Sequence, residues 1–227
     1  MATMGHTCSM QQAPSVLRPG LRTYKPRRSR ITPRERRALD TPGPPLLPVN
    51  ELSDAWQPGL PVVLDIGFGS AEQVVDLAQC FPGQMIVAVD VYTPGVGDLV
   101  DRCRQNAITN VRVLEGDALE LMPGLPGTLM GVRSFFPDPW PKARHHKRRL
   151  VQPAVIDAVC DSVDAGGFWH IATDWQQYAE SILDLLSEDS RWRGGVIERP
   201  EWRPVTHFEK RAERDGRPVV DMWFERT

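Results

Sequence analysis

From residue 61 the chain repeats one pattern: a short apolar run, an acid or glycine near its end, then a stretch whose apolar residues recur at helical spacing. Pro61-Val-Val-Leu-Asp-Ile-Gly67 is followed by Val74, Val75, Leu77, Ala78 and Phe81. Met85-Ile-Val-Ala-Val-Asp-Val91 is followed by Val96, Leu99, Val100 and Cys103, and Val111-Arg-Val-Leu114 is a third run. Val132-Arg-Ser-Phe-Phe136 precedes a helical pattern over residues 153–163 that ends at Gly166-Gly167, and Phe168-Trp-His-Ile-Ala-Thr173 precedes another over residues 178–186. Continuous apolar runs alternating with amphipathic helices describe strands buried on both faces, hence an α/β fold with a doubly wound, mostly parallel sheet. Residues 204–208 and 219–224, joined through Asp215-Gly216, read as an antiparallel hairpin closing the sheet.

The segments before residue 50 differ in character. Residues 1–17 are polar and aperiodic, which predicts disorder. A basic stretch follows, and Thr41-Pro-Gly-Pro-Pro-Leu-Leu-Pro48 reads as a stiff spacer, so residues 1–49 are expected to be an arm and linker and residues 50–227 the folded domain. The net charge of −2 conceals a strong asymmetry. Residues 18–37 carry nine Lys or Arg against Glu35 alone, and residues 142–149 carry Lys142, Arg144, Lys147, Arg148 and Arg149 with no acid. Two basic blocks on an acidic body fit a polyanionic partner such as nucleic acid, although charge alone is equally consistent with a solvated surface. No apolar run is long enough to cross a bilayer and no secretory leader is evident. Cys8, Cys80, Cys103 and Cys160 are widely spaced, with no metal-ligand pattern, so reduced thiols, no metal and a cytoplasmic location are expected.

In a doubly wound sheet, ligands bind beyond the carboxyl ends of the strands. Asp65-Ile-Gly-Phe-Gly69 puts glycines where the chain must turn sharply against a ligand. Asp90 ends the second strand, where a carboxylate can accept ribose hydroxyls, and Asp117 ends the third, where it can meet an adenine amino group. The alternative reading of these acids is as caps of loops and helices. A dinucleotide site is disfavoured, because Gly67-Phe-Gly-Ser-Ala-Glu72 lacks the third glycine of that fingerprint.

The most specific segment is Ser134-Phe-Phe-Pro-Asp-Pro-Trp-Pro-Lys-Ala-Arg-His-His-Lys-Arg-Arg-Leu150. It resembles the bacterial tRNA (guanine-N7)-methyltransferase family, as do the basic stretch Arg18–Leu39, Leu64–Gly69, Val91–Gly97, Thr173–Ala179 and Thr206–Arg211. The resemblance implies a Rossmann-like class I methyltransferase fold, S-adenosylmethionine as methyl donor with S-adenosylhomocysteine as product, and N7 of a guanine in the variable loop of tRNA as acceptor. A monomer or homodimer is equally compatible with it. It places Asp65, Gly67, Gly69, Asp90 and Asp117 at the cofactor and Asp138 between cofactor and target base as the catalytic carboxylate. It places Lys142, Asp174, Thr206, His207, Phe208 and Glu209 at the substrate and Arg144, Lys147, Arg148 and Arg149 on the RNA.

The chain departs from the family pattern at several positions. Asp65 stands in place of a Glu, Tyr92 in place of a His, Ala212 in place of a Gly, and Arg217-Pro218 in place of Gly-His. Ala71 replaces the third glycine of the first loop, where a methyl group would crowd a cofactor that came close. Two other readings therefore remain: an RNA-binding protein that has kept the fold and lost the cofactor, and an adenine or cytosine amino-methyltransferase. Pro137-Asp-Pro-Trp140 resembles the Asp-Pro-Pro-Trp loop of the latter but lacks its second consecutive proline.

Overall fold

The computed structural model describes residues 23–24, 30–56, 59–69 and 71–227. The disorder expected of residues 1–17 and half of the basic stretch, residues 18–22 and 25–29, lie outside the described residues. Seven strands form one sheet: β1 (Val62–Ile66), β2 (Met85–Asp90), β3 (Val111–Glu115), β4 (Leu129–Phe135), β5 (Val163–Thr173), β6 (Trp192–Ile197) and β7 (Val220–Arg226). Their order is β3-β2-β1-β4-β5-β7-β6. The first five are parallel; β7 is antiparallel to β5, and β6 to β7. Strand order therefore reverses at β1, which has β2 on one side and β4 on the other.

Every residue of β1 and β2 is buried, because helices cover both sheet faces. Leu64, Ile66, Val87, Val89 and Val132 pack against α5 (Pro153–Ser162) and α6 (Gln176–Ser187) through Val155, Ile156, Val159, Ala179 and Ile182. Ile86, Ala88, Val111 and Val113 pack on the opposite face against α2 (Ala71–Cys80) and α3 (Thr93–Gln105) through Val74, Leu77, Val96, Leu99 and Val100. These are the inner faces expected from the helical spacing.

The carboxyl-terminal part corrects one expectation. The antiparallel partner of β7 is β6, and residues 207–214 form helix α7 (His207–Arg214). Thr206 starts that helix: its hydroxyl accepts a hydrogen bond from the Glu209 amide at 3.1 Å, so a segment whose side chains alternate like a strand is diverted at a cap. β6 escaped detection because it is an edge strand interrupted by Gly194-Gly195, with little apolar signal. The helix expected to end at Gly166-Gly167 ends at Ser162, and β5 begins at Val163, opposite Leu129.

Contacts with the body reach well before residue 50. Helix α1 (Pro33–Asp40) opens with a capping box: the Thr32 hydroxyl accepts from the Glu35 amide at 3.3 Å and Glu35 accepts from the Thr32 amide at 2.6 Å. It lies on α3 where Gly97 leaves room; a Cβ at Gly97 would stand 2.9 Å from Glu35 Cβ and 3.1 Å from its carbonyl oxygen. Arg104 binds the chain leaving α1 by donating to the carbonyls of Ala38, Thr41, Gly43 and Pro44. The proline-rich spacer then runs beside β3. The Val113 amide donates to Pro45 O at 2.8 Å and the Leu47 amide to Val113 O at 3.2 Å, which covers the sheet edge.

Gly97→Leu is expected to lift α1 from α3 without touching the sheet, because the new side chain meets backbone. Limited trypsin digestion should cut the variant at Arg34, Arg36 or Arg37 at least tenfold faster than the wild type, an opening of about 1.4 kcal/mol. Equal cleavage rates would show that the close approach does not hold α1.

Candidate active site

A cavity of about 300 Å³ opens where the strand order reverses. Its wall is built from strand ends: Ile66, Gly67 and Gly69 after β1, Val89 to Tyr92 at the end of β2, Gly116 to Ala118 after β3, and Phe136 to Asp138 after β4. Leu150, Phe208, Thr23 and Tyr24 complete it. The volume falls in the range of small-molecule sites.

The floor is the glycine turn. Gly67 and Gly69 have φ of +70° and +56°, left-handed values that glycine adopts without penalty, and a Cβ at Gly67 would meet nothing within 4 Å. The carboxylate of Asp90 ties this turn to the next loop, since one oxygen accepts from the Gly69 amide at 2.8 Å and the other from the Tyr92 amide at 2.9 Å. Asp117 caps α4 (Ala118–Leu121), accepting from the Leu119 amide at 3.0 Å; burial raises its pKa above the ordinary carboxylate value. The cap reading and the cavity reading of these acids therefore both apply.

Asp138 sits in a restrained loop. Phe136 and Trp140, on either side of Pro137-Asp138-Pro139, have φ of +55° and +44°, which are uncommon for bulky residues. Trp140 is buried, donates from its indole nitrogen to Thr23 O at 3.1 Å and carries the Arg148 guanidinium over its ring at 5.1 Å. Its ring is thus packed within the protein, with Arg148 over one face. Tyr24, Tyr92, Phe136 and Phe208 are the aromatic residues lining the cavity; Phe208, at the start of α7, stacks near-parallel with Phe136 at 6.0 Å and is backed by His207 at 3.9 Å.

Three residues stand elsewhere than the sequence suggested. Asp65 does not line the cavity. It lies inside β1 with its side chain on the opposite face from Leu64 and Ile66, fully buried, and neither oxygen has a well-formed hydrogen bond among the described residues. Burial raises its pKa from 3.8 to about 6, against the opposing charge of Arg133, its in-register neighbour on β4, and the side chain of Gln73; the charge of Asp90 adds to the rise. Glu209 is buried, with both oxygens accepting from Arg203 at 2.8 and 3.0 Å, so its carboxylate holds α7 rather than facing a base. Arg149 is 4% exposed and donates to Pro139 O at 3.0 Å, which takes it out of reach of an RNA backbone, whereas Lys142, Arg144, Lys147 and Arg148 are exposed around the turn at residues 143–148. Asp174 is half-buried and pairs with Arg217 at 2.6 Å, one of the residues that depart from the family pattern. Ala71 packs in the core at the start of α2 and does not line the cavity.

A chain of buried ionisable groups runs across the sheet from Asp65. Arg133 lies 5.4 Å from the rings of both Phe81 and Trp202, which meet each other edge-on, and its in-register neighbour on β5 is His170. His170 meets Asp221 at 2.9 Å; because a carboxylate only accepts, the ring carries its proton on Nε2, and burial keeps it neutral by lowering its pKa. Asp221 also accepts from Arg203 at 3.0 Å, which links the row to Glu209 and α7. Sequence reasoning missed Arg203, Phe136, Gly116, Leu150, Thr23 and Tyr24. Among the described residues no cluster of His, Cys, Asp or Glu could hold a metal, and no helix is long and apolar enough to cross a membrane.

Comparison with known proteins decides what kind of site this is. The family model described as "Putative methyltransferase" matches residues 60–222. The chain is 40% identical to the tRNA (guanine-N(7)-)-methyltransferase of Nitrosospira multiformis, over 91% of this chain and 94% of the relative. It is 38% identical to the protein of that name in Bordetella pertussis, over 100% of this chain and 93% of the relative. The chain belongs to the tRNA (guanine-N(7)-)-methyltransferase family. Among solved structures, the 16S rRNA (adenine(1408)-N(1))-methyltransferase from Catenulisporales acidiphilia superposes with a TM-score of 0.56 at 16% identity, over 80% of this chain and 92% of that one, a likeness of fold alone. The family's residue pattern thus rests on a Rossmann-like class I methyltransferase fold whose strand ends carry the cavity.

The position of Asp65 makes this methyltransferase's stability depend on pH. A carboxyl that holds its proton more tightly when folded than when unfolded stabilises the fold only while protonated, so the contribution is complete below pH 3.8 and is lost as pH rises through about 6. Relative to wild type, Asp65→Asn should therefore gain about 2 kcal/mol between pH 4 and pH 7, on top of any constant offset. Urea unfolding at several pH values measures this, and a stability difference independent of pH would contradict a raised pKa at Asp65.

Proposed function

We propose that the protein transfers the methyl group of S-adenosylmethionine to N7 of a guanine in the variable loop of tRNA, and that it acts in the cytoplasm. One observation carries the reading: Asp138 faces the same cavity as the Gly67–Gly69 turn, Asp90 and Asp117, and the exposed cations of residues 142–148 follow it directly in the chain. The residues present fit a nucleoside cofactor. The glycine turn leaves room for a ligand against the backbone, Asp90 lines the cavity at the end of β2, where ribose hydroxyls would lie, and Asp117 stands at the next strand end for an adenine amino group. When bound, that cofactor supplies an electrophilic methyl on a sulfonium.

Guanine N7 has an in-plane lone pair and loses no proton on methylation, so the protein needs no strong base. Its task is alignment and charge. The purine becomes cationic as the methyl arrives, and the half-buried carboxylate of Asp138 can stabilise that charge, or accept from the guanine N1–H and amino group and so select guanine over adenine. Phe208 offers a ring at the cavity for a base taken out of its stack. Lys142, Arg144, Lys147 and Arg148 supply phosphate contacts that position the RNA without reading its sequence, while Asp174, Thr206 and His207 would contact the substrate from outside the cavity lining. Glu209 and Arg149 act from behind these groups.

Labelled methyl transfer to unmodified tRNA, with the product nucleoside identified by mass, tests the reading. The expected product is 7-methylguanosine; N6-methyladenosine would point to an amino-methyltransferase, and no transfer by a folded protein would point to an RNA-binding protein. Asp138→Ala should lower kcat by about 100-fold or more while leaving tRNA affinity within about threefold of wild type. Full activity in that variant would remove Asp138 from the catalytic role.

A further inference from the structure

Arg148 and Arg149 are adjacent in the chain and face opposite ways. Arg148 is exposed on the turn at residues 143–148, whereas Arg149, closing that turn through its amide bond to His146 O at 2.9 Å, points inward. Its Nε donates to Pro139 O at 3.0 Å, a terminal nitrogen lies 3.2 Å from His146 Nε2, and its guanidinium lies 4.8 Å above the ring of Tyr178. Tyr178 is itself fully buried and fixed, with its hydroxyl accepting from the Val151 amide at 3.0 Å.

The loop it touches needs such a holder. In Pro137-Asp138-Pro139 the two prolines have no N–H, which leaves Asp138 as the segment's one backbone donor. The left-handed φ values of Phe136 and Trp140 persist only if the surroundings over-determine them. The Phe136 amide is bound to Ala172 O at 2.7 Å on the side of β4, and Arg149 grips the Pro139 carbonyl, one residue beyond Asp138.

We propose that Arg149 is a positioning residue for the reaction: by donating to the Pro139 carbonyl from a guanidinium seated on the Tyr178 ring, it fixes Asp138 at the cavity. The run of basic residues is thus divided by task. Arg144, Lys147 and Arg148 face outward for phosphate, and Arg149 sets the geometry of the carboxylate. This rests on the methyl transfer to tRNA proposed above.

Steady-state methyl transfer by wild type, Arg149→Leu, Arg149→Lys and Arg148→Ala tests it, with circular dichroism as a check on folding. Arg149→Leu should lower kcat by about 100-fold, the scale of a misplaced catalytic group, with KM for tRNA changed less than about threefold. Arg149→Lys should recover part of the loss, to within about tenfold of wild type, because an ammonium can reach the carbonyl but cannot lie flat on the ring. Arg148→Ala should instead raise KM for tRNA and reduce the salt slope of binding by about one phosphate contact. A rise in KM and a shallower salt slope in the Arg149 variants, or a wild-type kcat in Arg149→Leu, would overturn the proposal. Should Arg149→Leu fail to fold, Arg149→Lys carries the test alone, a loss in kcat supporting the proposal and a loss confined to KM overturning it. An inactive wild-type protein would remove the reading beneath the proposal and the proposal with it.

Discussion

The carboxylate of Asp90 is the joint on which the candidate site depends. It ends the strand next to β1 at the reversal of strand order and accepts the amides of Gly69 and Tyr92, so one side chain fixes the turn after β1 and the loop after β2. Hydrogen bonds to a charged acceptor are worth about 1.5–3 kcal/mol each, and here they hold a glycine turn that has no side chain of its own to pack. The backbone of Asp90 extends the joint, because its carbonyl accepts from the Gly116 amide at 3.0 Å and brings the loop after β3 into line. Three strand ends are thereby set around one cavity before any ligand arrives.

The second organising feature is the buried row from Asp65 to Glu209. Removing charges from water is costly, and a lone partner left behind by a substitution costs about 3–5 kcal/mol, so such a row adds little net stability but tolerates few alternatives. Here it ties β1, β4, β5 and β7 on one sheet face to α7 through Arg203, and α7 carries Phe208 at the cavity. The neutral state of His170 suits this arrangement, since a cation there would sit beside Arg133 and Arg203. Arg203 also faces the rings of Phe135 and Phe136 at 5.7 and 5.9 Å, which couples the row to the loop bearing Asp138.

Much of this was legible in the sequence, for physical reasons. Strands covered by helices on both sides must be apolar throughout, which made β1, β2 and the inner part of β5 readable, and the helices between them declared their buried faces by spacing. The acids Asp90, Asp117 and Asp138 fall at strand ends, where topology alone brings them together. What escaped was direction and depth. Asp65 lies one residue short of its strand end, so its side chain takes the face opposite Leu64 and Ile66; an acid in β1 and an arginine in β4, each interrupting an apolar run, were the available signal for a buried pair. Glu209 and Arg149 belong to recognisable motifs, but a motif does not say whether a charged side chain faces the ligand or the protein behind it. The edge strand β6, with two glycines and exposed side chains, carries almost no pattern.

The account makes one cavity, at the reversal of strand order, the meeting place of cofactor and target base. A crystal structure with S-adenosylhomocysteine tests this most directly. The account predicts the ligand in contact with Gly67, Gly69, Asp90 and Asp117, with Asp138 on the side of the cavity where its sulfur lies. Electron density for the ligand at another place on the protein, or a cavity that stays empty at saturating ligand, would contradict it.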